Sequence, residues 1–175
     1  QMMLAGVETD ESHYFHTEDA PALRRMLREG IYHCVVANPP YITPKDRATN
    51  NAYRRLYASC HRQYSLSVPF MERIFGLAIR GNESNRAGYT GQITGNNFMK
   101  REFGKKLIEE FFKTIDLSHV IDSQLAHIPG HGTPTVLILG RNRKPLGKNV
   151  RLVGAIKRED GEPKVPANGL VWRAI

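Results

Sequence analysis

The chain of 175 residues carries 25 Lys and Arg against 17 Asp and Glu, a formal charge of +8, with 41% hydrophobic and 24% charged residues. Those proportions exclude wholesale disorder and fit one domain, or part of one, long enough to bury a core. Two cysteines, Cys34 and Cys60, are too few for a disulfide framework or a zinc knuckle, and no apolar run reaches membrane-spanning length. A soluble protein of a reducing, cytoplasmic compartment is expected, and its basic excess suits a polyanion as well as plain solubility.

The opening Gln1-Met2-Met3-Leu4 reads as a cut from something longer. His13 and His16 have helical spacing but no third ligand beside them, so no metal is expected. A short helix is predicted from Asp19, which can cap it, with Pro21 in its first turn and Gly30 as its stop. Tyr32 to Ala37 is a short apolar run, read as a buried strand that Asn38-Pro39-Pro40 terminates. Residues 46–64 are polar and helical or looped. Ser67 to Arg80 is an amphipathic helix with Met71, Ile74, Phe75 and Ala78 on one face. Tyr89 to Thr94 is a second strand. A basic helix follows, with Phe103, Leu107, Ile108, Phe111 and Phe112 inward and Lys100, Arg101, Lys105 and Lys106 outward. Leu117 to Asp122 and Pro134 to Arg141 are further strands. The segment joining them is too short for a crossover helix, so they should be antiparallel neighbours. The predicted fold class is α/β: an open, mostly parallel sheet with the antiparallel C-terminal strand at its edge. A last strand, Val150 to Ile156, precedes a Pro/Gly-rich stretch.

The chemistry concentrates in Asn38-Pro39-Pro40-Tyr41, at the carboxyl end of a strand, where open α/β folds place their ligands. An exocyclic amino group on a base is a poor nucleophile because its lone pair is delocalised into the ring. Two acceptors aimed at its N–H bonds favour the pyramidal geometry that attack requires. The Asn38 side-chain oxygen and the Pro39 carbonyl can be those acceptors. Neither proline has an N–H, so the segment cannot continue the ladder. Tyr41 offers a flat face on which a planar group can stack. The competing reading is a proline turn capping a strand, with Tyr41 as packing.

This tetrapeptide resembles the catalytic motif of S-adenosylmethionine-dependent amino-group methyltransferases, whose sheet is seven-stranded and Rossmann-like. Val35 to Asp46, Asn97 to Lys106, Ile128 to Val136 and Gly169 to Trp172 together resemble the adenine-specific DNA methyltransferases of phage-growth-limitation (BREX) defence. The resemblance covers most of residues 31–175. It implies transfer of a methyl group from S-adenosylmethionine to adenine N6 in double-stranded DNA, with defence-system proteins as partners. It further implies that Asn38 and Pro39 bind the amino group, that Pro40 fixes the turn, and that Tyr41 stacks on a base extruded from the duplex. His127 is placed to stack on the base's other face, or is an ordinary hairpin residue. Phe70 lies near where the family contacts the cofactor's adenine, or packs under its helix. Asp19 is the candidate acid for that adenine, or an N-cap.

The family's glycine-rich cofactor turn and the acid that follows its second strand do not occur upstream of Asn38. The expected organisation is therefore partial. Residues 1–145 would be the C-terminal part of a catalytic domain whose first strands are missing, and 146–175 a connecting segment. Two other functions fit parts of the pattern: methylation of a protein glutamine side chain, and a non-catalytic domain that binds DNA or partners through its basic surface.

Overall fold

The computed structural model describes residues 19–82, 86–130, 132–159 and 161–175. The opening residues, the His13/His16 pair and His131 lie outside them. In chain order the elements are α1 (Ala20–Met26), β1 (Cys34–Ala37), α2 (Arg47–Leu56), α3 (Ser67–Leu77), β2 (Tyr89–Gly95), α4 (Lys105–Glu109), β3 (Asp116–Asp122), β4 (Thr135–Arg141), β5 (Arg151–Gly154) and α5 (Leu170–Ala174).

The strands form one sheet in the order β1-β2-β4-β3-β5. β1 pairs with β2, and β3 with β5, in parallel, whereas β4 is antiparallel to both β2 and β3. Four strands thus point one way and one the other, the mostly parallel α/β sheet expected. The place of the antiparallel strand differs. It was expected at the edge, and it lies inside the sheet. Val136 to Leu139 is apolar without alternation, so both faces of β4 want cover, which an interior position gives.

The core lies between one face of the sheet and the helical layer. Tyr64, Val68, Met71 and Phe75 meet Val136 and Ile138 of β4, Leu117 of β3, and Phe98, Leu107 and Ile115 from the β2–β3 connection. The α3 stripe predicted from periodicity is the buried one. At Gly140 a Cβ would stand 3.1 Å from the Phe75 ring, so glycine lets that ring reach the sheet.

Two expectations need correction. β1 is not a buried strand, because Val36 is 79% exposed on the face away from α3. Among the described residues no strand flanks the outer edge of β1. Residues 96–114 are not one helix. They fold as 3₁₀ turns at Asn96–Met99, Glu102–Gly104 and Phe111–Thr114, with α4 the one short α-helix among them. The chain doubles back so tightly that a Cβ on Gly104 would lie 1.9 Å from the Phe98 carbonyl oxygen. Leu107 is fully buried as predicted, but the broken path leaves Ile108 39% exposed.

Beyond residue 146 the chain stays on the sheet. β5 lies beside β3, and the Trp172 indole N–H of α5 donates to the His127 carbonyl at 3.1 Å.

Candidate active site

β1, β2 and β3 run parallel and end at Ala37, Gly95 and Asp122, so the residues that follow share one rim of the sheet. Asn38 leaves β1 directly and is exposed, Pro39 is buried, and Pro40 is exposed. With two imides in succession the ladder must stop, and the chain turns across the rim toward β2.

Tyr41 completes that turn. Its hydroxyl donates to Asn38 Oδ1 at 2.7 Å and reaches the Ile93 carbonyl of β2 at 3.3 Å. Its ring covers Gly95: Cγ and Cδ2 lie 3.7 and 3.8 Å from where a Cβ would stand. The Thr133 methyl, from the β3–β4 connection, lies 3.7 Å from the same point. The ends of three elements converge on one glycine. Burial raises the Tyr41 phenol above its ordinary value, so the ring is a neutral donor at physiological pH. The Leu66 amide donates to the Ile42 carbonyl at 2.8 Å, tying the segment to the start of α3. Asp46 Oδ2 accepts from the Thr49 amide and caps α2.

The remaining candidates are dispersed. His127 is half-buried in a cavity of about 680 Å³ lined by the β3–β4 connection and by Arg158, Glu159 and Gly161, with Nε2 3.3 Å from Glu162 Oε1. The ring lies beside the C-terminal segment, but among the described residues Nε2 makes no hydrogen bond there. Phe70 is 40% exposed on α3 between buried Pro69 and Met71, so it does not pack under its helix. Asp19 is the N-cap of α1, its Oδ1 accepting from the Ala22 amide at 2.8 Å.

The basic cluster after β4 lies at the opposite end of the sheet. Arg141 pairs with Tyr89, the first residue of β2; its guanidinium sits 4.3 Å above that ring and donates to the Ala87 carbonyl. Arg143 forms a 2.7 Å ion pair with Asp116. Both hold the far rim together. Sequence reasoning passed over Arg54 and Arg62, which the fold brings to Tyr41 across a cleft that Arg101 also lines. Their basic character was the only signal, and it does not distinguish them from the other 23 Lys and Arg residues.

A parallel sheet with an interior antiparallel strand, and an Asn-Pro-Pro-Tyr turn on its carboxyl rim, define the class of the chain as a Rossmann-like α/β domain. A family model described as Eco57I restriction-modification methylase matches residues 6–128. The chain belongs to that family. It is 51% identical over 174 residues to the adenine-specific methyltransferase PglX of Streptomyces coelicolor, covering 95% of this chain and 14% of that protein. The chain therefore spans about one seventh of that relative's length. Among solved structures it superposes on a modification subunit attributed to a type I restriction enzyme of Vibrio vulnificus, with TM-score 0.52, 11% identity, and coverage of 73% of this chain and 28% of that one. A Listeria monocytogenes protein described as a class I S-adenosylmethionine-dependent methyltransferase gives 0.51 at 15% identity, over 71% and 37%. At such identities these two likenesses speak for the fold.

Proposed function

We propose that this chain is the target-base part of the catalytic domain of an adenine-N6 DNA methyltransferase. The observation that carries the reading is the exposed Asn38 at the carboxyl rim, with its side-chain oxygen already held in a hydrogen bond by Tyr41. The identity to an adenine-specific methyltransferase over nearly the whole chain supports it. In this reading Asn38 Oδ1 and the Pro39 carbonyl accept the two N6–H bonds of an extruded adenine and orient the nitrogen lone pair. Tyr41 supplies the stacking face, worth about 1–3 kcal/mol for a base. Pro40 holds the backbone so that the carbonyl and the side chain aim together.

S-adenosylmethionine is the co-substrate in this reading, supported by the likeness to an adenine-specific methyltransferase, while the glycine-rich turn that would hold most of it does not occur upstream of Asn38. When bound, it supplies the electrophilic methyl. The exposed Phe70 ring is the candidate contact for its adenine, with Asp19 as the candidate acid and His127 as the candidate second stacking group for the target base. Residues 1–145 are the C-terminal part of the catalytic domain, and residues 146–175 lead on from it along β3. Cytoplasmic DNA and defence-system proteins are the proposed partners.

The test is adenine-methylation sequencing of DNA from cells carrying the polypeptide that contains this chain. Asn38→Ala should abolish N6-methyladenine at its sites while DNA retention and folding persist. Unchanged methylation would refute the assignment. Methyl incorporation into protein rather than DNA would instead favour a glutamine side chain as acceptor.

A further inference from the structure

Tyr41 forms the wall of a second cleft, of about 570 Å³, on the side facing α2. Its lining residues include Arg54, Arg62 and Arg101, with Glu102 the one acidic residue among them. Each arginine is held differently. Arg54 lies 5.7 Å above the Tyr64 ring and donates to the Arg62 carbonyl. Arg62 has φ +52°, a left-handed conformation that a non-glycine side chain rarely adopts. The Arg54 bond to its carbonyl holds that turn, and its own guanidinium reaches across to Glu102 at 2.8 Å with both side chains 61% exposed. Arg101 has no carboxylate partner among the described residues.

From this arrangement we infer that the cleft beside Tyr41 is a phosphodiester site, taking the backbone phosphate that flanks the extruded nucleotide. The inference rests on the proposed base-binding role of Tyr41. A base cannot leave the stack without carrying its sugar and phosphates along, so an anion must arrive next to the stacking ring. Three guanidinium forks and one carboxylate leave a net positive cleft there, and planar forks match phosphate oxygens in pairs. The Arg62–Glu102 pair is exposed and weakly held, so an arriving phosphate can take Arg62 from the carboxylate. Its contact with Glu102 keeps the Arg62 guanidinium beside another residue of the cleft lining.

The test uses fluorescence anisotropy with two labelled duplexes: one perfectly paired, and one bearing an adenine opposite an abasic site, which exposes a base without any recognition sequence. Arg62→Ala and Arg101→Ala should each weaken binding of the second duplex about tenfold, as for a lost charged hydrogen bond. Each should also lower the slope of log affinity against log salt by about 0.9. Glu102→Gln should do the reverse and tighten binding, because it frees Arg62. A purely structural ion pair predicts instead that Arg62→Ala and Glu102→Gln both lower the melting temperature and leave the salt slope alone, and that result would overturn the inference. So would unchanged binding by Arg101→Ala, since Arg101 has no ion pair among the described residues to lose. Asn38→Ala separates the two claims: it should leave the salt slope intact, so loss of methylation there with no arginine effect sinks this site alone. Arginine effects with full methylation by Asn38→Ala would sink the catalytic assignment.

Discussion

The hydroxyl of Tyr41 donates to Oδ1 of Asn38 across 2.7 Å, closing a loop of four residues around two prolines. The oxygen proposed to receive the base's amino group thus has one of its two lone pairs engaged. An incoming N6–H takes the second lone pair or replaces the phenolic O–H, in which case the hydroxyl keeps the Ile93 carbonyl as its acceptor. Such an exchange costs little and keeps the asparagine oriented before the base arrives.

Removing only the hydroxyl should separate its two effects. Tyr41→Phe frees Asn38 Oδ1 and preserves the stacking face, so it should keep most of the methylation and bind the abasic-opposed adenine at least as tightly as the parent. Tyr41→Ala should weaken that binding by about five- to 150-fold, the range set by base–aromatic stacking of about 1–3 kcal/mol. Equal loss in both variants would show that the hydroxyl, rather than the ring, matters.

Gly104 tests the broken path of residues 96–114. Because a Cβ there would lie 1.9 Å from the Phe98 carbonyl, Gly104→Ala must shift backbone rather than a flexible side-chain tip. It should destabilise by about 3 kcal/mol or more, the upper end for overpacking, and urea titration reads this directly. Ala at Gly147, which has nothing within reach of a Cβ, is the matched control and should stay within about 0.5 kcal/mol.

The two cysteines should behave oppositely. Cys34 is exposed on β1, whereas Cys60 is buried, and burial first, then the Glu72 carboxylate, push its thiol up to about 12. At pH 8, iodoacetamide should label Cys34 in the folded chain and spare Cys60 until denaturant is added. Burial also raises Tyr57 and Tyr64. Groups whose folded value is raised contribute stability that is fully present below their unfolded pKa and is lost as pH climbs through the folded one. Stability should therefore hold up to about pH 9 and fall between about pH 9 and 12. A melting temperature flat across that window would contradict the burial of Cys60.

The outer edge of β1, unpaired among the described residues, gives a further measurement. The His33 carbonyl accepts from the Tyr89 amide, so alternation along the strand turns the Cys34 and Val36 amides outward, where no described strand pairs with them. The Val36 amide should exchange hydrogen far faster than that of Val35. An apolar edge without charge also invites pairing between copies, so sedimentation should show concentration-dependent association that Val36→Lys reduces. Strong protection of Val36 in monomeric chain would show that the edge is covered.

Local pattern was enough for much of the architecture. Met71, Ile74 and Phe75 fix the inward face of α3 because their period matches the helix, and Ala78, extended backbone just past its last residue, is buried with them. Two prolines after an apolar run end β1 at the carboxyl rim, and a twelve-residue connection forces β3 and β4 to pair antiparallel. The Asp19 cap of α1 was legible too, in a polar side chain two residues ahead of a proline. Tertiary structure alone decided which partners meet across long stretches of sequence. Tyr41 covers Gly95, 54 positions away, and Arg62 reaches Glu102, 40 positions away. Arg141 and Arg143 went to the far rim, and β4 entered the sheet interior. Periodicity reports how a segment divides between core and solvent, because that depends on neighbours within one or two turns. Which surfaces then face each other depends on strand order and on close backbone approaches such as Gly104 against Phe98, and these leave no trace in local spacing.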